Sequence, residues 1–240
     1  MRILITNDDG MHAAQLPNLI RWARNYGDVT TVVPKVEQSG KSHSFEIKRD
    51  FEAKQVVLTE DITLWAVDST PADCVRFAVL GKKMEFDFVI SGVNRGYNMG
   101  SDIMYSGTVA AAYEAVNLGI PAIALSTSFE NYPHATEELD KIFAFIREKE
   151  LYKLNNIYNV NIPASPKGFR FTRQGGPFYS DDFPHVGNDM YRPTGKPVWV
   201  NSGDDTLDTD STKSGYITIT PLQLDRTNRV VFDRLKDLNT

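Results

Sequence analysis

One cysteine, Cys74, is all the thiol this chain of 240 residues contains. That excludes an intramolecular disulfide and any zinc site built on several thiolates, and it fits a reducing compartment. With no base evident beside it, Cys74 reads as a small buried residue rather than a nucleophile. Net positive charge is also missing: the formal charge is −5 and the isoelectric point is near 5.4. No sequence-specific nucleic-acid partner and no anionic membrane surface is expected, although one bound cation can invert a local field. No apolar run approaches the roughly 18 residues of a membrane helix. The opening MRILITNDDG lacks the basic-then-apolar layout of a signal peptide, so a cytoplasmic protein is expected. No repeat or low-complexity tract is visible. The turn NDDGMHAA does not supply G-x-G-x-x-G after the first strand, which removes the dinucleotide dehydrogenases.

What is present starts with two adjacent acids. Arg2 to Thr6 reads as a buried strand, because Ile3, Leu4 and Ile5 form a short apolar run ended by polar, turn-forming residues. Asp8 and Asp9 stand at its end. Two neighbouring carboxylates repel each other, and a hard divalent cation would remove that cost. The crevice at the carboxyl ends of strands is also where open α/β folds bind ligands. Asn7 to Gly10 makes an equally ordinary tight turn, and this stretch alone leaves both readings open.

The first half alternates strands with helices. Leu16, Leu19, Ile20 and Ala23 fall at helical spacing before Gly27. Val29–Val33 is a β-branched strand, and Phe45–Arg49, Gln55–Leu58 and Ile62–Val67 read as further strand pieces. Thr70, Pro71 and Asp73 form an N-cap signature for a helix ending at Gly81. Phe86–Ser91 is an apolar strand, Gly107–Leu118 an Ala-rich helix, Pro121–Ser126 a strand and His134–Glu150 an amphipathic helix. The pattern predicts an α/β fold: a Rossmann-like three-layer sandwich with a mainly parallel sheet. Beyond it, Tyr158–Ile162, Phe169–Arg173, Pro197–Val200 and Tyr216–Thr220 read as strands without clear helices between them. An α/β core over 1–155 and a C-terminal antiparallel β extension over 156–240 are expected. The extension's free edges suit pairing with a second subunit.

Three loops would meet the acid pair at one sheet edge. The loop after Val29–Val33 offers Ser39, Gly40, Ser42 and Ser44. The loop after Phe86–Ser91 offers Asn94, Asn98, Ser101 and Asp102. Ser106, Gly107 and Thr108 stand just before a helix, whose free N–H groups attract phosphate; a Ser there is also a plain helix cap. Together these loops supply carboxylates, neutral oxygens and N–H donors around one crevice, the equipment of metal-assisted phosphoryl chemistry.

At this point the sequence resembles a known family. ILITNDDGMHA, QSGKSHS, DSTPADCV, SGVNRGYNMGSDIMYSGTVAAAYEA and GYITITPL, in that order, are similar to the SurE family of metal-dependent nucleotidases, the stationary-phase survival proteins. The resemblance spans nearly the whole chain and is strongest over 1–126. It implies one divalent cation per subunit, Mg²⁺ or Mn²⁺, held by Asp8, Asp9, Ser39 and Asn94. It places phosphate contacts on Asn98, Ser106, Gly107 and Thr108; Gly40 of the Ser39 loop is also expected at the substrate, since glycine lets the backbone approach a ligand closely. It implies hydrolysis of nucleoside 5′-monophosphates to nucleoside and phosphate, the 3′ position left open, by a homodimer or homotetramer. The chain departs from the family pattern at KVEQ before Ser39, at Lys41, Arg95 and Tyr97, and over Tyr179 to Asp210.

Asp8 and Asp9 are the expected catalytic pair, Asp8 as ligand and nearest group to the attacking water, Asp9 chiefly as ligand. The general acid is open between His12 and His43, each equally readable as a surface or capping histidine. An aspartyl-phosphate enzyme, a receiver-like magnesium-binding module and a nucleotide-binding regulator without turnover are the alternatives.

Overall fold

The computed structural model describes residues 1–238. Its framework is a nine-stranded sheet, built from β1 (Arg2–Thr6), β2 (Asp28–Pro34), β3 (Ala53–Thr59), β4 (Ile62–Val67), β5 (Phe88–Arg95), β6 (Ala122–Thr127), β7 (Ile157–Ile162), β8 (Phe169–Phe171) and β13 (Ile217–Pro221), in the order β3-β4-β2-β1-β5-β6-β7-β13-β8. The six strands from β4 to β7 run parallel, β3 and β13 pair antiparallel with β4 and β7, and β8 is parallel to β13. Their apolar, β-branched sequences follow from burial on both faces. Helices α1 (Leu16–Ala23) and α4 (Leu139–Glu148) cover one face. There Leu16, Leu19 and Ile20 pack in one core with Leu139, Ile142 and Ile146. Helices α2 (Pro71–Arg76) and α3 (Gly107–Asn117) cover the other, with Cys74, Val75, Ala111 and Ala115 against Leu4, Val32 and Val89. The three-layer sandwich expected from the alternating pattern is therefore the observed architecture.

The antiparallel elements at the C-terminal end are present too. Besides β13, they include two short ribbons. One pairs β9 (Tyr179–Asp182) with β12 (Thr194–Pro197), the other β10 (His185–Gly187) with β11 (Met190–Tyr191). Several details differ from the sequence reading. Phe45–Arg49 is not a strand: Glu46 curls the chain by accepting the backbone N–H groups of Ile47, Lys48 and Arg49 at 2.9–3.1 Å. Of Pro197–Val200, only Pro197 belongs to a strand. Two helices were missed, α5 (Asp208–Lys213) and α6 (Arg229–Leu235). The sequence of α5, DTDSTK, is poor in helix formers, so its turn-like composition hid it. Strand β7 joins the main sheet parallel to β6, buried along its whole length. Helix α4 begins at Leu139, after a single 3₁₀ turn at Tyr132–His134.

Strand β5 runs four residues past its expected end. Its pairing with β6 slips between Ser91 and Asn94. Only glycine suits the slip: Gly92 has φ +132°, and a Cβ there would lie 2.3 Å from the Leu125 carbonyl oxygen. The bulge carries Asn94 and Arg95 up to the edge where β1 ends.

Candidate active site

The edge formed by the carboxyl ends of β1, β2, β5 and β6 gathers the acid pair and its neighbours. Asn7 folds the turn after β1 on itself: its Nδ2 donates to the Gly10 carbonyl at 3.0 Å and its Oδ1 accepts the Gly10 N–H at 3.1 Å. This turn aims Asp8 inward, where it is only 5% exposed. The Thr108 hydroxyl donates to Asp8 Oδ1. Gly107 lies so close that a Cβ there would sit 2.9 Å from the Asp8 Cβ. The first turn of α3 therefore rests directly on the acid, and a side chain at position 107 would separate them. The Asp8 carbonyl accepts the N–H of Gln38, at 2.7 Å, which draws the Ser39 loop alongside. Asp9 Oδ2 accepts the backbone N–H of Arg95 at 3.1 Å, next to Asn94.

Electrostatics at the pair is strained. Burial pushes the Asp8 carboxyl up, against the opposing hydrogen bond from Thr108. Burial first, and the Asp8 charge second, push Asp9 up to about 6. Glu37 adds a third negative charge that raises both. The hydrogen-bond partners of the two acids are neutral, a hydroxyl and an amide. Arg95 offsets only part of this at Asp9, so a buried and a half-buried carboxylate side by side remain costly, and a divalent cation would supply the missing counter-charge. Among the described residues no three His, Cys, Asp or Glu side chains gather as a metal cage. A cation at the pair must draw further ligands from neutral oxygens and water, the hard-ion donor set of magnesium. The residues present fit such an ion.

The remaining sequence candidates are distributed around this pair. Asn94 is at the site, its Nδ2 donating to the Gly96 carbonyl at 2.8 Å so that its Oδ1 is the free end. Ser39 faces Glu37, with its hydroxyl donating to Oε1 at 2.6 Å, and is exposed. Gly40 turns that loop at φ +68° with open space beside it. Ser106 is the N-cap of α3, accepting the Val109 N–H at 3.1 Å. Asn98 is held by β7, a support that the sequence reading missed. Its N–H donates to Asn161 Oδ1 at 2.9 Å, while Asn159 and Asn161 donate their side-chain amides to its carbonyl at 2.7 and 2.8 Å. The signal was available: two Asn at i and i+2 of a strand point to one face, and buried amides need partners. Ser42 ties its loop to the turn before α3, with its N–H on the Tyr105 carbonyl and its hydroxyl on the Met104 carbonyl.

Two further anchors tie the loop before α3 to the C-terminal half. Asp208 accepts the Gly100 N–H with both oxygens, at 3.1 and 3.0 Å, and the Gly175 N–H at 2.8 Å. Asp102 accepts the N–H groups of Phe178 and Tyr179, so it serves as an anchor. Of the two histidines, His12 lines a cavity of about 350 Å³ beside Asp9, Glu37 and Arg95. His43 is bound to Glu114. Cys74 is fully buried, and burial pushes its thiol pKa well up, as a packing residue requires.

The family model described as "Survival protein SurE" matches residues 3–181. The chain belongs to the SurE family. Its relatives include a protein of Gemmatimonas aurantiaca named 5′-nucleotidase SurE, 40% identical over 97% of this chain and 96% of the relative. Another of that name, from Legionella pneumophila, is 36% identical over 99% of this chain and 97% of its own. The crystal structure of the SurE protein from Aquifex aeolicus superposes with a TM-score of 0.77 at 32% identity, covering 99% of each chain. The SurE match extends through the turn after β1, the β5 bulge and the start of α3, the three pieces that meet at the Asp8–Asp9 pair.

Proposed function

We propose that this chain is a metal-dependent phosphomonoesterase that hydrolyses nucleoside 5′-monophosphates to nucleoside and phosphate. The observation that carries the reading is the Asp8–Asp9 pair, buried at Asp8 and half-buried at Asp9, hydrogen-bonded by neutral donors, with Asp8 in contact with the N-terminal turn of α3. The names carried by the Gemmatimonas and Legionella relatives support it.

Asp8, Asp9, Asn94 and Ser39 would hold one Mg²⁺ or Mn²⁺. Ser39 would turn its hydroxyl from Glu37 to do so. Such an ion would supply charge neutralisation for phosphoryl oxygens and acidification of water. Asp8 would be the group nearest the attacking water and would orient it. The first turn of α3, at Ser106, Gly107 and Thr108, would receive the phosphate at the helix N-terminus. Asn98, fixed by β7, adds a side-chain contact from the opposite wall. Gly40 lets the Ser39 loop come close to the substrate. A receiver-like module is disfavoured because β5 leads into Ser91, Gly92, Val93 and Asn94, with no acid to take a phosphoryl group.

The reading includes a cytoplasmic homodimer or homotetramer assembled through the 156–240 extension. Val186, Met190 and Tyr191 on its ribbons and Phe183 between them are exposed, and no described helix is long and apolar enough to cross a membrane. A phosphate-release screen tests the function. AMP, GMP and their 3′ isomers are incubated with Mg²⁺, Mn²⁺ or a chelator. Release from a 5′-monophosphate that the chelator abolishes is expected. Release from none of them would leave the non-catalytic nucleotide-binding reading.

A further inference from the structure

Glu114 is a buried acid that the mechanism above does not use. It sits in the middle of α3 and is 3% exposed. Its Oε2 bonds to His43 Nε2 at 2.8 Å, and its Oε1 accepts from Arg76 of α2 at 3.0 Å. A carboxylate partner fixes the proton of neutral His43 on Nε2, since a carboxylate only accepts. The His43 ring lies nearly parallel to Tyr113, 20° between planes, and Arg76 lies over the Phe45 ring at 4.8 Å. Each member of the cluster is thus held in place. His43 Nδ1 makes no hydrogen bond among the described residues. The imidazole is about one-quarter exposed and lines a cavity of about 490 Å³ together with Ser106, Tyr113 and Arg226. The hydrogen bonds of Ser42 to the Met104 and Tyr105 carbonyls hold the His43 loop beside Ser106.

In-line displacement puts the leaving oxygen on the far side of phosphorus from the attacking water. With the water on the Asp8–Asp9 side, the leaving oxygen faces away from the pair, toward Ser106 and the cavity beyond it. We propose that His43, oriented by Glu114, is the proton donor to the leaving nucleoside oxygen, and that the cavity beside Ser106 receives the nucleoside. This inference rests on the phosphomonoesterase reading. As the water oxygen forms its bond to phosphorus, the bond from phosphorus to the nucleoside oxygen breaks. That oxygen leaves with the electron pair and takes the Nδ1 proton of imidazolium His43. The proton shed by the attacking water goes to solvent. His43, left neutral with Nε2–H on Glu114, regains its proton from solvent through the open cavity. His43 is then a catalytic residue, and Glu114 a positioning residue.

A general acid matters for a poor leaving group and little for a good one. His43→Gln keeps an N–H for Glu114 but cannot protonate. It is compared with wild type on AMP and on p-nitrophenyl phosphate, whose phenolate leaves unaided, both with Mn²⁺. The expected result is a loss of about 100-fold or more in kcat on AMP, within the usual span for general acids, against less than about 3-fold on p-nitrophenyl phosphate. Glu114→Gln is expected to lose AMP turnover selectively as well. In the metal-free protein, imidazole ¹⁵N NMR should show neutral His43 protonated on Nε2, and Glu114→Gln should shift that balance. Equal losses on both substrates, no loss on AMP, or a proton on Nδ1 would overturn the proposal. A wild type that cleaves p-nitrophenyl phosphate but no nucleotide would instead overturn the nucleotidase reading, and this proposal with it.

Discussion

Asp9 is where burial and charge conflict most openly. Its carboxyl is raised to about 6 by burial and by Asp8. An acid whose folded pKa lies above its unfolded value contributes stability below the unfolded pKa and loses it as pH rises through the folded one. Metal-free protein is therefore expected to lose stability between about pH 4 and 6 on account of this group, and a divalent cation restores it above that range. The melting-temperature rise on adding Mn²⁺ should be larger at pH 7.5 than at pH 5, as scanning fluorimetry would show; an equal rise at both would contradict this. Asp9→Asn should stabilise the metal-free protein at pH 7.5 by about 1 kcal/mol, the usual gain when a functional strain is relieved, while weakening Mn²⁺ binding in calorimetry. The pair was legible in the sequence because adjacent acids at the end of an apolar run stand out. Asn159, Asn161 and Asp208 were not. Their roles lie in bonds to distant backbone groups, such as Gly100 to Asp208, and nothing local announces them.

At the scale of elements, the site depends on how closely α3 approaches β1. Gly107→Ala would put a methyl group 2.9 Å from the Asp8 Cβ and 3.1 Å from Pro71 Cγ. It should cost about 1–3 kcal/mol in denaturant unfolding, as overpacking does, and lower metal-dependent activity. Asp208→Ala removes the acceptor that three N–H···O contacts use. Hydrogen exchange at Gly100 and Gly175 should accelerate, with the remainder of the sheet unchanged. The strands and α3 were readable because β-branched runs and an Ala-rich segment between Ser106 and Gly119 carry strong local signals. The β5 bulge was not. The register slip at Gly92 comes from β6 pressing on it, a tertiary cause. Phe45–Arg49 has strand composition, yet one carboxylate collecting three N–H groups outcompetes a sheet edge there.

For the whole molecule, the apolar residues left facing solvent concentrate at the C-terminal end. Val230, Val231, Phe232 and Leu235 of α6 are all exposed, and so are Phe183 and, on the ribbons, Met190 and Tyr191. Exposed apolar surface of this kind marks contacts with other chains. Light scattering on a sizing column is expected to give two or four times the 27.0 kDa of the chain. A mass of one chain at micromolar concentration would contradict the proposed assembly. The alternating first half of the sequence announced a covered parallel sheet. The second half did not announce its ribbons or α6, because short, exposed elements lack the periodicity that burial imposes.

The account rests on a cation held at the end of β1 within reach of a phosphoester. The direct measurement is phosphate release from AMP across a Mn²⁺ titration, in wild type and in Asp8→Asn, with circular dichroism to verify the fold of both. The account predicts metal-dependent release in wild type and a loss of at least about 1,000-fold in the variant, on the scale of removing a principal electrostatic contribution to catalysis, with the fold retained. Unchanged turnover in a folded Asp8→Asn protein would contradict it.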